Sequence, residues 1–321
     1  MISPIRILLP VFAVALIALG PVRAQEAFMV MEAYSGKVLI AKNSTAKRPV
    51  ASLTKIATAV VALDWAEVAG TDIAKVMVTA PPTTSLVGGP NPLNLQPGDQ
   101  MSLRDALYAA LLSSDNLAAL TVADHVGREL LRAHGKSSGD PVAEFVGEMN
   151  RLAKALGMKN TRFGNPHGLE REGVKAASTA ADIARLSVYA MRRNALNFIV
   201  RQKDREITVM TGIGRQLYKI HNTNELIGEE GILGIKTGTT AAAGECLAVC
   251  MDKDPLVRQK PDGSKGVTPR RLIVVLLNST DRFQRSRMLL RDGWAVYDSW
   301  LAAGAPVKDA KREIIKVTDP Q

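Results

Sequence analysis

Cysteine is almost absent from this chain of 321 residues: Cys246 and Cys250 are its two. They stand four apart in E-C-L-A-V-C. On a strand that spacing puts them on one face but about 13 Å apart, at about 3.3 Å per residue. A disulfide needs Cα atoms within roughly 7 Å, so no bridge joins them. Two thiols with no histidine nearby also make a poor metal site, and both read as packing residues. Aromatic residues make up only 4%, so alanine, leucine, valine and isoleucine must fill the core. The chain has no internal repeat, no low-complexity segment and no polybasic run. Solenoid architectures and wholesale disorder are thereby excluded.

What is present is a hydrophobic fraction of 46% with 22% charged residues and a formal net charge of +10. That composition describes a globular protein of mixed α/β class. Arg6 precedes a charge-free stretch from Ile7 to Gly20, and Val22-Arg23-Ala24 supplies the small-x-small pattern of a signal-peptidase site. The apolar run is shorter than the ~20 residues that span a bilayer. The reading is a signal peptide over 1–24, cut after Ala24, with no stable membrane anchor left behind. Export to the periplasm or another extracytoplasmic space follows. It makes nucleic acid the weakest partner for the basic charge, ahead of which come anionic wall polymer, anionic lipid and plain solvation of dispersed lysines.

Ala27 to Tyr34 reads as a strand, Ser35-Gly36 as a tight turn and Lys37 to Ala41 as the hairpin partner. Residues 42–49 are polar and turn-like. An apolar helix runs from about Ser52 to Ala69 and stops at Gly70. Residues 81–99, rich in Pro, Gly, Thr and Asn, form a loop. Helical pattern covers about 102–157, with breaks near Ser113–Asp115 and Gly135–Asp140. Ser178 is the expected N-cap of a helix over Thr179–Arg193. Gly234–Met251 and Arg271–Asn278 look extended, with a charged loop (Asp252–Arg270) between them, and a last helix spans 282–303. Strands at both ends and helices between them predict an α+β fold: one antiparallel sheet built from the two termini, with a helical lobe inserted. The main domain is expected over 25–305, followed by a short polar tail, 306–321.

Two Ser-x-x-Lys tetrads occur, Ser44–Lys47 and Ser52–Lys55. The first lies in a polar turn before Pro49. The second opens a helix whose other residues are Leu53, Ile56, Ala57, Val60, Val61 and Leu63. Residues three apart share a helix face, so Lys55 reaches back over Ser52. A helix apolar almost all round is buried, and burial favours a neutral lysine. At an ordinary pKa roughly one lysine in 2,500 is neutral at pH 7, too few for a base. By themselves these two residues are better read as a helix cap and a snorkelling lysine. Ser114-Asp115-Asn116 follows a helical pattern, placing a hydroxyl and an amide on one turn; helix capping accounts for it as well. Asp115 reads as a solvated turn residue. Lys236-Thr237-Gly238 lies in an expected strand and continues as Thr239-Thr240. Gly238 removes a side chain where a ligand meets the backbone, and Lys236 with the hydroxyls of Thr237 and Thr239 suits a carboxylate.

In this order the three motifs resemble the penicillin-binding proteins and serine β-lactamases. The segments R-P-V-A-S-L-T-K-I-A-T-A (48–59), R-F-G-N-P-H-G-L (162–169), S-T-A-A-D-I-A (178–184), N-T-N-E-L (222–226) and G-I-K-T-G-T-T-A-A-A-G (234–244) are similar to the low-molecular-mass D-alanyl-D-alanine carboxypeptidases. The resemblance covers about 27–303. It implies Ser52 as nucleophile, Lys55 as its base, and Ser114 and Asn116 as the second catalytic pair. Lys236, Thr237, Gly238 and Thr239 then bind substrate, with the N–H groups of Ser52 and Thr239 as oxyanion hole. The carboxylate-binding arginine maps most naturally onto Arg282, although Arg285 and Arg287 are close by. The implied substrates are peptidoglycan stem peptides, with β-lactams as covalent inhibitors and no metal or cofactor. His167 lies in a family-like segment, but its neighbours Asn165, Pro166 and Gly168 suggest loop structure over proton transfer. His125, His134 and His221 lie in no such segment.

Many of these carboxypeptidases carry a second, all-β domain and a C-terminal amphipathic helix, for which this sequence shows no pattern. It is more similar to compact members, some of which cut cross-links as endopeptidases. Carboxypeptidase is the favoured activity and endopeptidase the alternative. A β-lactamase is disfavoured because no Glu-x-x-Leu-Asn pattern occurs. A penicillin-binding sensor without turnover is disfavoured because the motif set is intact.

Overall fold

The computed structural model describes residues 25–170, 172–259 and 261–317. The expected signal segment lies outside them. In chain order, strands β1 (Ala27–Glu32) and β2 (Val38–Lys42) form the opening hairpin. A 3₁₀ turn, Ala51–Leu53, leads into α1 (Thr54–Val68). Short strands β3 (Met77–Thr79) and β4 (Gln100–Ser102) flank the 81–99 segment. Next come α2 (Leu103–Leu111), α3 (Asn116–Ala133), α4 (Pro141–Ala155), α5 (Ala180–Arg192) and α6 (Asn194–Val200). Strands β5 (Asp204–Thr211), β6 (Gly214–His221), β7 (Ile232–Thr240), β8 (Gly244–Gln259) and β9 (Lys265–Ser279) precede α7 (Arg282–Ala302) and a single turn, α8 (Ala310–Glu313).

Strands from both chain ends do form one antiparallel sheet, in the order β2-β1-β9-β8-β7. Strand β1 shows why it is apolar throughout. Alternate residues face opposite ways, so Ala27, Met29 and Met31 join the core formed with α1 and α5, whereas Phe28 and Val30 join the one under α7. The helical lobe thus lies on one face of the sheet and α7 on the other. Strand β7 is left as an edge, running alongside the Ala51–Leu53 turn.

Several expectations are corrected. The segment 234–251 is two strands joined by a tight turn, and 252–270 is no loop. Strands β8 and β9 run on past the sheet as a paired arm as far as Gln259 opposite Lys265, because their ladder closes without needing a core. Helix α5 is capped by Thr179, whose hydroxyl accepts from Asp182 N at 3.1 Å. Ser178 instead exchanges backbone hydrogen bonds with Arg48. A second sheet, β3-β4-β5-β6, had no strong alternating signal in three-residue strands such as β3 and β4. The stretch read as a polar tail is docked as far as Val317. Ile315 is buried, and its N–H donates to Gly36 O at 2.8 Å.

Candidate active site

The site begins at the entry to α1. Ser52 sits in the 3₁₀ turn, half-buried, and Lys55 lies one turn on, with no exposed surface at all. Lys55 Nζ donates to Ser52 Oγ at 2.9 Å, Asn116 Oδ1 at 2.6 Å and the His167 carbonyl at 3.0 Å. Helix α1 is enclosed on nearly every side, so this amine is cut off from water. Burial lowers its pKa to about 7, against a smaller upward pull from the Asp115 carboxylate. Roughly half the lysines are then neutral at pH 7, with a lone pair facing the serine hydroxyl.

Asn116 opens α3. Its side-chain amide donates to Gly88 O at 2.9 Å, and its backbone N–H donates to Pro90 O at 2.9 Å. Ser114 takes a left-handed backbone, φ 62°, and is buried beside it. Asp115 is not a solvated turn residue: it is fully buried. As N-cap of α3 it accepts from Ala118 N at 2.8 Å, and it also accepts from Leu93 N at 3.1 Å. Both carboxylate oxygens are satisfied by backbone, which is what makes burial of a charge tolerable. Burial nevertheless pushes the Asp115 pKa up, with these hydrogen bonds opposing.

The 164–170 loop closes the opposite side. Asn165 Oδ1 accepts from His167 N at 3.2 Å and Gly168 N at 2.6 Å, and Thr58 of α1 donates to Pro166 O at 2.6 Å. Gly168 has φ 91°, and a Cβ there would fall 2.0 Å from Ala51 O. Only glycine permits this approach, which brings the His167 carbonyl to Lys55. The imidazole itself is held neutral: burial, helped by the charge on Lys55, pushes its pKa down to about 3.

Strand β7 forms the third wall. A Cβ on Gly238 would lie 3.0 Å from Ser52 N and 3.1 Å from the Ala51 Cβ. Lys236 is buried and donates to Thr237 O at 3.0 Å. Burial, then the positive charges of Lys55 and Arg282, depress its pKa far below that of a free lysine. The Thr237 hydroxyl pairs with that of Thr223 at 2.6 Å. Of the three candidate arginines, Arg282 is the one that reaches β7. Its Nη1 donates to Thr239 Oγ1 at 2.6 Å and Gly238 O at 3.2 Å, while its Nε is buried without a partner. Arg285 is tied to Glu26 at 3.0 Å and Arg287 to Glu229 at 2.9 Å.

The three motifs therefore converge on Ser52. Sequence reasoning missed Asp115, the His167 carbonyl and Thr223. The segments N-P-H-G-L and N-T-N-E-L were the only hints of the last two. Among the described residues, no group of three or more His, Cys, Asp or Glu is placed to hold a metal, and no helix is long and apolar enough to cross a membrane.

Residues 18–256 match the D-alanyl-D-alanine carboxypeptidase family. A D-alanyl-D-alanine endopeptidase of Pseudomonas aeruginosa is 35% identical over 223 residues, 69% of this chain and 65% of that protein. The carboxypeptidase DacC of Escherichia coli is 32% identical over 281 residues, 85% of this chain and 62% of its own length. The carboxypeptidase DacF of Bacillus subtilis is 30% identical and matched over 53% of its length. The chain thus spans about a half to two-thirds of these relatives. In solved structures, a variant of the Streptomyces K15 DD-transpeptidase superposes with a TM-score of 0.70 at 25% identity, over 84% of this chain and 97% of that one. Penicillin-binding protein D2 of Listeria monocytogenes, in its ampicillin-bound form, gives 0.64 at 26% identity, over 84% and 96%. With its fold and most of its length matched, this chain belongs to the D-alanyl-D-alanine carboxypeptidase family of serine peptidases.

Proposed function

We propose that the protein is an exported carboxypeptidase that removes the terminal D-alanine of peptidoglycan stem peptides through an acyl-enzyme on Ser52. The observation that carries this reading is the 2.9 Å hydrogen bond between Lys55 Nζ and Ser52 Oγ, made by an amine buried enough to be neutral near pH 7. Neutral Lys55 takes the hydroxyl proton as Ser52 Oγ attacks the penultimate D-alanine carbonyl. The N–H groups of Ser52 and Thr239 stabilise the oxyanion, a contribution typically worth ~10²–10³ in rate per donor. The Ser114 hydroxyl passes the proton to the departing amine, the peptide C–N bond breaks and D-alanine leaves. Water then attacks the ester carbonyl and gives its proton to Lys55, the bond from the acyl carbon to Ser52 Oγ breaks, and Lys55 returns the proton to Ser52 Oγ as the shortened peptide leaves. Asn116 holds both Lys55 and the substrate carbonyl side, and Arg282 with Thr237 binds the terminal carboxylate.

β-Lactams, which mimic the acyl-D-Ala bond, should acylate the same serine. The second reading is endopeptidase, favoured by the P. aeruginosa relative named for that activity. Wall muropeptides incubated with the protein distinguish the two by mass spectrometry. Loss of terminal D-alanine is expected, whereas split dimers with intact pentapeptides would establish the second reading. Ser52→Ala should abolish release and labelling by fluorescent penicillin. Release at the wild-type rate by that variant would end the proposal, and rapid nitrocefin turnover would mark a β-lactamase instead. Labelling without any release would mark a sensor.

A further inference from the structure

Two of the three groups bonded to Lys55 Nζ can only accept a hydrogen. Asn116 turns its amide nitrogen to Gly88 O at 2.9 Å, so the atom it presents to Lys55 is its carbonyl oxygen, at 2.6 Å. The other is the His167 carbonyl, at 3.0 Å. A neutral amine carries two N–H groups and one lone pair. With both hydrogens given to these oxygens, the lone pair is left for the third neighbour, Ser52 Oγ at 2.9 Å. The serine is then the donor in that contact, which is the arrangement a general base needs. Without the His167 carbonyl, one N–H is free to turn toward Ser52 and the lone pair can point elsewhere.

That carbonyl belongs to one planar unit, the trans peptide His167–Gly168. In a trans peptide the C=O and N–H point in opposite directions. Gly168 N donates to Asn165 Oδ1 at 2.6 Å, so the His167 carbonyl is aimed away from Asn165 and onto Lys55. The same Oδ1 accepts from His167 N at 3.2 Å, and Asn165 Nδ2 donates to Leu169 O at 2.7 Å. One side chain thus binds three consecutive residues of the loop. Thr58, one turn beyond Lys55 on α1, holds Pro166 O at 2.6 Å and ties the loop to the helix that carries the lysine.

Building on the peptidase reading, we propose that Asn165 is a positioning residue for acylation: by fixing the His167–Gly168 peptide it keeps the Lys55 lone pair on the Ser52 hydroxyl. As the bond from Ser52 Oγ to the substrate carbonyl carbon forms, the hydroxyl proton passes to that lone pair. The resulting ammonium keeps both carbonyls as acceptors, so the loop serves Lys55 before and after the transfer.

The test follows the first-order rate of Ser52 acylation by saturating fluorescent penicillin, and the fraction of protein labelled, across the pH limb of Lys55. The charged and titratable groups acting on that lysine are Asp115 from the turn before α3, Lys236 on β7 and the neutral His167 ring, and the variants alter none of them. In Asn165→Ala the peptide is released. The rate on the high-pH plateau should fall about 10²-fold, the scale of a misplaced catalytic group. The limb should also move to lower pH, because the ammonium loses an acceptor, while the protein still labels fully. Asn165→Ser keeps a weaker acceptor for the same N–H groups and should lie between Asn165→Ala and the wild type in both readouts. A wild-type plateau with an unmoved limb in Asn165→Ala overturns the assignment. So does a loss confined to the labelled fraction, which marks a merely structural role. Should Asn165→Ala not fold, Asn165→Ser decides alone: a slower plateau with a lowered limb supports the assignment, and wild-type values overturn it. Release of D-alanine by the wild type is followed separately. Labelling without release overturns the peptidase reading alone, and a wild type that does not label at all overturns both.

Discussion

The Asp115 carboxylate, held between the N–H groups of Ala118 and Leu93, acts electrostatically on Lys55 Nζ and raises the proton affinity that burial lowers. The same residue clamps the 88–93 segment, whose Gly88 and Pro90 carbonyls hold Asn116. One buried carboxylate thus holds the geometry around Asn116 and partly offsets the effect of burial on Lys55.

Acylation should therefore rise with pH along a limb centred near 7, as Lys55 loses its proton. Replacing Asp115 by Asn removes the negative charge, lowers the Lys55 pKa and moves that limb to lower pH. The flanking groups leave this sign unchanged, because Lys236 and His167 both have pKa values depressed by burial. His167→Gln should leave the limb where it is, since the ring is already neutral. Penicillin acylation rates between pH 5 and 9 measure both. A limb that moves upward in Asp115→Asn, or disappears in His167→Gln, contradicts the assignment of Lys55 as base.

Gly238→Ala puts a methyl 3.0 Å from Ser52 N and 3.2 Å from Val50 O. Either β7 or the serine turn must retreat, opening the proposed oxyanion hole. A loss of about 10²-fold in acylation rate is expected, with only a small drop in melting temperature because no core contact is removed. Wild-type acylation by this variant would show that the close approach is not needed.

Arg282→Gln should lower kcat/KM for D-Ala-D-Ala peptides by about 10- to 100-fold, the range of a lost charge-assisted hydrogen bond. Peptides ending in D-alaninamide carry no carboxylate and should be hydrolysed equally by both proteins. A similar loss on the amide would mean that Arg282 serves β7 structurally, through Thr239 and Gly238.

Ile315→Ala should destabilise the fold by about 1–3 kcal/mol, somewhat under a fully enclosed isoleucine. Gly36→Ala should act in the same direction, because its Cβ would lie 2.1 Å from Ile315 O at φ 76°. Denaturant midpoints should fall in both, while penicillin acylation of the folded fraction stays unchanged. An unaltered midpoint in Ile315→Ala would mean that the docked segment adds nothing to stability.

Much of the architecture was legible because it rests on short-range patterns. The apolar run of α1 announced a buried helix, and the short apolar runs of β1 and β9 announced a sheet buried on both faces. The missed features share a cause. The β8–β9 arm is held by ladder hydrogen bonds, which leave no hydrophobic signature, and charged residues there look like loop. Asp115 looked solvated because aspartate usually is. Its partners, the N–H groups of Leu93 and Ala118, are backbone atoms that no side-chain pattern reveals.

The order of residues alone settled the ingredients: a serine and a lysine one helical turn apart, an amide after a turn, and a glycine in a lysine-threonine strand. Those follow from local geometry, which a linear sequence encodes directly. Which arginine faces the cleft, which carbonyl receives the lysine and how far its charge is suppressed were decided only when distant segments closed around α1. Desolvation and electrostatic coupling depend on everything within a few ångströms, and that neighbourhood exists only in the folded chain.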